Sequence, residues 1–182
     1  MDSVSWLIFL YKVPPEPARA RVALWRRLKS MGAVYLQSGV CLLPDTPDHA
    51  RRLKLLERQV AEMSGEAVIL KAAAQDRGQR EKVLAHFQSD REEHYREFIS
   101  RCDDFEAEIA RETNARHFSY AEIEENEADL KKLKHWLAVI RKLDFYGAPL
   151  AKEAEKRLQR CESLLDAYAR RVFEEQDGNP QP

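Results

Sequence analysis

The sequence has few of the residues that usually build covalent, metal-binding or phosphate-loop sites. Its 182 residues include three cysteines and six glycines. The cysteines, Cys41, Cys102 and Cys161, are far apart and form no CxxC pair, which predicts reduced thiols and argues against a zinc site. The glycines are scattered singly, so the sequence has no Gly-rich phosphate-binding loop, and no Ser–His–Asp arrangement is visible. We therefore expect no enzymatic activity and no cofactor.

Long apolar runs are also missing. No stretch approaches the roughly 18 apolar residues that a membrane span needs. The run Trp6–Tyr11 lies near the N-terminus, but Asp2 precedes it and no small-residue cleavage site follows. We interpret this run as a strand and expect a cytoplasmic protein with no membrane partner.

Acidic residues are absent from Pro17 to Pro44. Residues 10–29 hold one acid and six cations, which are Lys12, Arg19, Arg21, Arg26, Arg27 and Lys29. Residues 1–80 contain 13 Lys and Arg against 8 Asp and Glu, a net charge of +5, although the whole chain carries -1. The remainder then carries -6. A basic half followed by an acidic half predicts two modules with different partners.

The first half of the chain alternates strand and helix signals. Aromatic and branched runs predict four strands, and apolar residues three or four positions apart predict two helices. Gly32 is placed to end the first helix, and Thr46 with Pro47 to begin the second. The predicted strands are Trp6–Tyr11, Ala33–Leu36, Val40–Leu43 and Ala67–Leu70. This βαββαβ order is the ferredoxin-like motif.

The second half is purely helical in pattern. Three long heptad-like stretches begin near Gln79, Ser119 and Ala151, which predicts an antiparallel three-helix bundle. We therefore predict an α+β chain with a ferredoxin-like module at 1–76, a helical bundle at 77–176 and a disordered tail at 177–182. Three of the predicted strands are apolar on both faces, so the face without helices needs cover. The bundle or a second subunit would supply it, and we expect a homodimer.

The six cations of residues 10–29 have two interpretations. Most lie on the side of the first predicted helix opposite its apolar stripe, as in an ordinary solvated face. The missing acids favour the sharper alternative, because solvated faces usually mix the two signs of charge. We therefore predict that Lys12, Arg19, Arg21, Arg26, Arg27 and Lys29 contact phosphates or another anion.

Two acidic or histidine-containing clusters have spacings that metal ligands can use. His86, Asp90 and His94 are four apart on one helix, and Glu124-Glu125-Asn126-Glu127 begins another. Exposed charged neighbours surround the first cluster, and acids are favoured at helix N-terminal turns without any metal. We expect no bound metal at either cluster, and we interpret Asn126 as a residue that fixes helix register.

Three motifs identify a family. They are Arg21-Val22-x-x-Trp25-Arg26-Arg27-Leu28-Lys29-x-x-Gly32-Ala33, Leu36-Gln37 and Glu124-Glu125-Asn126-Glu127-x-Asp129-Leu130. Together with the sequence around them, they resemble the N-terminal domain family of the chromate resistance protein ChrB, over nearly the whole chain. The resemblance implies a regulator that senses chromate and controls a chromate efflux gene. Full family members carry a further C-terminal domain.

The first half also resembles the middle domain of the phenylacetate-responsive repressor PaaX and the small CRISPR adaptation nuclease of ferredoxin-like fold. That nuclease places a metal-binding Asp near the end of its first strand, where this chain has Lys12. A cation there repels Mg²⁺ and removes an oxygen ligand. We expect a regulator that binds DNA or chromate. The alternatives are a non-catalytic scaffold and a metal-dependent nucleic-acid phosphodiesterase.

Overall fold

A computed structural model describes residues 4–177. Within these residues the elements follow the order β1 (Ser5–Lys12), α1 (Ala18–Ser30), β2 (Val34–Gln37), β3 (Val40–Pro44), α2 (Pro47–Glu62), β4 (Glu66–Ala73), α3 (Arg77–Asn114), α4 (Tyr120–Lys142) and α5 (Ala151–Asp177). The predicted α+β class is confirmed. Asp177 ends α5, and the rest of the predicted tail, 178–182, lies outside the described residues.

The described chain divides into two compact units. The first unit contains residues 4–90 and Leu143–Tyr146, and the second contains Arg91–Lys142 and residues 147–177. Helix α3 therefore contributes its first residues to the first unit and the others to the second. The predicted division at residue 76 differs from these bounds in two places, because α3 up to Asp90 and the segment Leu143–Tyr146 both belong to the first unit.

The sheet of the first unit has the strand order β2-β3-β1-β4. Every neighbouring pair is antiparallel, and β1 is central, with Ile8 opposite Leu42 on one side and Leu70 on the other. A ferredoxin-like βαββαβ chain has this order because each helix crosses over one intervening strand.

Local signals in the sequence set the ends of the two crossover helices. At the end of α1, Ala33 N donates to Leu28 O at 3.1 Å and Gly32 N donates to Lys29 O at 2.9 Å. This is a Schellman ending, and Gly32 adopts the left-handed backbone that it requires, with φ of 82°. At the start of α2, His49 N donates to the Thr46 hydroxyl at 3.1 Å, as expected for an N-cap.

One face of the sheet packs on α1 and α2. The fully buried side chains there include Phe9, Leu24, Leu28, Leu43 and Leu53. Successive strand residues point to opposite faces, so Leu7 and Phe9 of β1 enter this core while Trp6 and Ile8 face the other way.

The other face of the sheet is covered at one end. Trp6 lies there with Val34 and Leu42 beneath Phe87, Phe145 and Tyr146, which all belong to the same unit. At the other end of this face, Val68 is 52% exposed, and Leu70 and Leu36 are 47% and 43% exposed. The predicted need for cover is thus met in part within the chain, and the predicted homodimer stays a prediction.

The second unit is a bundle of three helices. The Tyr168 hydroxyl of α5 donates to His117 O, and Gln176 Nε2 donates to Phe118 O at 2.9 Å. The end of α5 therefore lies beside the start of α4, so these two helices are antiparallel. Their apolar stripes meet those of α3 in one core that includes Tyr95, Phe98 and Ile140. None of the helices in residues 4–177 is long and apolar enough to cross a membrane.

Candidate anion-binding site

Helix α1 carries five of the six predicted cations, and its packing decides which of them reach solvent. Leu24 and Leu28 are buried against the sheet, which fixes the rotation of the helix. Arg19, Arg21, Arg26 and Arg27 are exposed, and Lys29 is partly buried. The sixth cation, Lys12, is exposed at the end of β1.

Two of the six cations have partners within the first unit. Lys29 Nζ lies 2.5 Å from Asp90 Oδ1, and these side chains are 25% and 20% exposed. Arg27 donates to Gln59 Oε1 at 2.6 Å. Within residues 4–177, Lys12, Arg19, Arg21 and Arg26 have no acidic side chain within ion-pair distance. None of these four cations is therefore held in an ion pair within these residues, although Glu66 is the cross-strand neighbour of Lys12.

Lys12 and Arg21 come together at an open cavity of about 910 Å³ in the first unit. The cavity lies between α1, the end of β1 and the β2–β3 hairpin. Its lining consists of Tyr11, Lys12, Val13, Ala18, Arg21, Val22, Trp25, Tyr35, Gln37, Ser38 and Gly39. This lining contains two cations and no Asp or Glu, so its charge is positive.

A pair of tyrosines forms the polar part of the wall. The hydroxyls of Tyr11 and Tyr35 lie 2.8 Å apart and share a hydrogen bond. Burial raises the pKa of both phenols above the usual value near 10, so both are neutral at physiological pH. Two hydroxyls sharing one hydrogen bond leave one O–H free to donate to a ligand. The neutral pair therefore adds a donor to the cavity without adding a negative charge.

The hairpin holds its own side of the cavity in place. Gly39 O accepts a hydrogen bond from Tyr11 N at 2.8 Å, and Gly39 has φ of 74°. A Cβ atom at Gly39 would lie 2.4 Å from Tyr11 O. A side chain there would push the hairpin away from β1, and with it Gln37 and Ser38.

Sequence reasoning missed Trp25, Val22, Tyr11, Tyr35 and the hairpin as cavity residues. Arg21 and Trp25 are four apart on α1, so their sharing one face of the helix was available from spacing. The tyrosine pair was not, because it depends on β2 reaching β3 and β3 reaching β1. Arg19 and Arg26 do not line the cavity and lie on the exposed surface of α1.

The residues considered as metal ligands have other surroundings. Asp90 pairs with Lys29, and Asn126 is buried and donates to Glu122 O at 2.8 Å. Glu124 and Glu127 are exposed. No group of three or more His, Cys, Asp or Glu side chains within residues 4–177 has an arrangement that could hold a metal ion.

The second unit has a cavity of opposite charge, with a volume of about 640 Å³. It lies between α3 and α4. Acidic side chains dominate its lining, and they are Asp104, Glu108, Glu112, Glu122, Glu125 and Asp129. Arg101 and Lys132 also line it and pair with Asp104 and Asp129. The charge difference between the two halves of the sequence thus appears as two cavities of opposite sign.

The three thiols are all buried and free. Burial raises the pKa of the Cys41 thiol to about 12, so this group stays protonated and is inert as a nucleophile. Cys161 Sγ lies 3.8 Å from Cys102 O, which places these two thiols side by side within the second unit. The two cysteines are 59 positions apart in the sequence, and nothing in the sequence indicated that they would be in contact.

These features define an α+β protein with an acid-free cationic cavity in a ferredoxin-like unit. The chain belongs to the family described as Protein ChrB, N-terminal, whose model matches residues 21–179. One curated relative is Protein ChrB of Cupriavidus metallidurans, which is 28% identical over 166 residues. The match covers 89% of this chain and 47% of that protein, so the chain spans about half the length of the relative.

Proposed function

We propose that this chain is a cytoplasmic, non-catalytic regulatory module of chromate resistance that binds DNA through the basic surface of its first unit. Membership of the ChrB family supports the link to chromate, because the resemblance described above implies a regulator that senses chromate. The main observation in support of anion binding is that Lys12 and Arg21 line one cavity whose lining contains no acidic side chain. Arg19 and Arg26 extend the positive surface along α1.

The same cations suit an oxyanion effector. Chromate is a tetrahedral dianion, and a guanidinium can donate two parallel N–H groups to such an ion. The Tyr11–Tyr35 pair offers a further neutral donor beside Arg21. We therefore propose that chromate and DNA phosphates compete for Lys12 and Arg21, so that chromate releases the DNA.

A regulatory rather than enzymatic role is supported by the end of β1. Lys12 is the last residue of that strand and lines the cavity. The nuclease that the first half resembles has a metal-binding Asp near this position. Glu66, the cross-strand neighbour of Lys12, is a single carboxylate at this position. One carboxylate beside a cation is a poor site for Mg²⁺, which is usually held by carboxylates together with substrate phosphates.

A second candidate function is an interaction scaffold. The observation that favours it is the apolar end of the sheet face, where Val68, Leu70 and Leu36 are exposed. Such a patch fits a second copy of the chain, as the predicted homodimer requires. The scaffold and the regulator differ in whether the cations of the cavity contribute to binding.

The test is a mobility-shift titration of the full chain on DNA upstream of its own gene, with and without chromate. Binding that falls with salt and with chromate, while equimolar sulfate has a smaller effect, would support the proposal. Arg21→Ala should weaken binding, whereas Arg51→Ala, which removes the same charge from an exposed site on α2, should not. Equal binding by both variants and the parent, or no binding, would refute the regulator and favour the scaffold.

A further inference from the structure

We propose that the cationic cavity receives an unpaired base of a nucleic-acid strand, with Trp25 as the stacking surface and with Lys12 and Arg21 on the flanking phosphate. The inference rests on the proposed function and makes it more specific. It assigns a ligand class to the cavity, which is a nucleotide with an accessible base face rather than the phosphate backbone of a duplex alone.

The exposure of Trp25 is the first observation. Trp25 is 49% exposed, although the same helix buries Leu24 and Leu28 almost completely. Val22, on the same wall of the cavity, is 44% exposed. Exposing the apolar surface of a tryptophan to water costs free energy. A planar ligand that packs against the indole buries this surface and so gains binding free energy.

The second observation is the chemistry that surrounds the indole. Arg21 lies one helical turn before Trp25, and Lys12 faces the same cavity from β1. A base on Trp25 would place its phosphate within reach of these cations. Stacking platforms beside positive grooves are the common design of proteins that bind single strands.

The third observation is the polar rim of the cavity. Gln37 and Ser38 line the hairpin side, and the Tyr11–Tyr35 pair lines another part of the wall. An amide, a hydroxyl and a phenol pair supply both donors and acceptors, which suit the edge of a base. The volume of about 910 Å³ also lies in the range of small-ligand sites, roughly 300–1,000 Å³.

A phosphate alone does not account for these features. An inorganic oxyanion uses the cations and the phenol donor but leaves the indole face and Val22 in water. A base that stays stacked and paired in a duplex has no free face to offer Trp25. The arrangement therefore fits a loop, a strand end or a base that has left its stack.

The experiment compares two oligomers that differ in their bases alone. A thymidine oligomer and an abasic oligomer of equal length carry the same phosphates, and the full chain is titrated with each at fixed salt. We expect the parent to bind the thymidine oligomer about tenfold more tightly, with quenching of tryptophan fluorescence. Trp25→Ala should remove this preference and leave the abasic affinity unchanged, while Trp25→Phe should retain part of it.

Two controls complete the design. Trp136→Phe, in the second unit, should keep the preference and most of the quenching. Arg21→Ala should weaken both oligomers by the same factor, because it removes a phosphate contact. Far-UV circular dichroism of each variant checks that it folds, and if Trp25→Ala is unfolded, Trp25→Phe and acrylamide protection of Trp25 in the parent decide the result.

Two results would overturn the inference. One is an absence of preference in the parent, and the other is an unchanged preference in Trp25→Ala. The proposed function fails separately, when duplex DNA and chromate show no salt-dependent competition. Duplex binding without a base preference therefore supports the proposed regulator and refutes the stacking site. A base preference without salt-dependent competition between duplex DNA and chromate supports the stacking site and refutes the proposed regulator.

Discussion

Replacing the cations of α1 one group at a time should distinguish two kinds of residue. Cations that are free to bind an anion should affect DNA binding, and cations with partners in the protein should affect stability. Arg19, Arg21 and Arg26 are exposed and have no carboxylate within ion-pair distance in the described part of the chain, whereas Lys29 lies 2.5 Å from Asp90. Alanine at the three arginines should weaken DNA binding, and alanine at Lys29 should lower the stability of the fold. A single surface of six equivalent cations would give the same result at every position.

The magnitude for the arginines follows from counterion release. The logarithm of the binding constant falls as log salt rises, and each phosphate contact contributes about 0.9 to the magnitude of this slope, which is the salt slope used below. Between 50 and 200 mM salt, each phosphate contact accounts for about a 3.5-fold loss of affinity. A variant that lacks one contact should therefore lose about 3.5-fold less affinity than the parent over this range. The triple replacement of Arg19, Arg21 and Arg26 should lower the slope by about 2.7, if each contacts one phosphate. Its unfolding free energy should change by only a few tenths of a kcal/mol per site.

The magnitude for Lys29 follows from its burial. The Lys29 and Asp90 side chains are 25% and 20% exposed, so this pair lies between a surface pair and a buried one. Removing the lysine should cost about 1–2 kcal/mol, since it leaves Asp90 partly desolvated without this cation. The salt slope of DNA binding should stay at the parental value.

The assay is fluorescence anisotropy of the labelled upstream duplex at four salt concentrations, with urea unfolding of each variant measured in parallel. The reasoning is refuted if Lys29→Ala lowers the salt slope as much as Arg21→Ala does. It is also refuted if the triple variant keeps the parental slope, because the basic surface would then be a solvated helix face.

Further predictions concern the fold and the assembly of the first unit. Thr46→Ala should lower the urea unfolding free energy by about 1 kcal/mol through loss of the α2 cap, and Thr46→Ser should restore most of it. The pKa of Cys41 is raised because the folded protein favours the protonated thiol. This preference contributes fully to the unfolding free energy below pH 9, and the contribution is lost as pH rises toward 12. The unfolding free energy should therefore fall less steeply over that range in Cys41→Ala. If the exposed sheet face joins two copies, Val68→Glu with Leu70→Glu should give a monomer by light scattering, and Leu55→Glu, at an exposed position of α2, should not. A parent that is already monomeric would contradict the homodimer.

The parts of the fold set by local chemistry could be predicted from the sequence. Gly32 and Thr46 mark helix ends because the backbone groups they satisfy lie within four residues. The βαββαβ order followed from strand and helix periods, and the strand ends moved by no more than three residues. The cover over Trp6 was harder to predict, because Phe145 and Tyr146 are about 140 positions away.

The candidate site could be predicted less fully. The missing acids pointed to α1, but exposure and pairing distinguish its cations, and both depend on distant residues. The partner of Lys29 lies 61 positions away, and that of Arg27 lies 32 away. The cavity itself arises where three separate segments meet, and the shift in register between Tyr35 and Gln37 helps to shape its hairpin side. Composition does not contain this information.

The return of Phe145 and Tyr146 to the first unit has a consequence for how the chain acquires its structure during synthesis. The ribosome adds roughly 5–20 residues per second, so residue 146 follows residue 90 by roughly 3–11 s. During that interval all four strands exist, but Trp6, Val34 and Leu42 lack part of their cover. A nascent chain at this length presents an apolar sheet face that the finished protein encloses at that end. This intermediate is therefore a natural substrate for chaperones that bind exposed apolar surface.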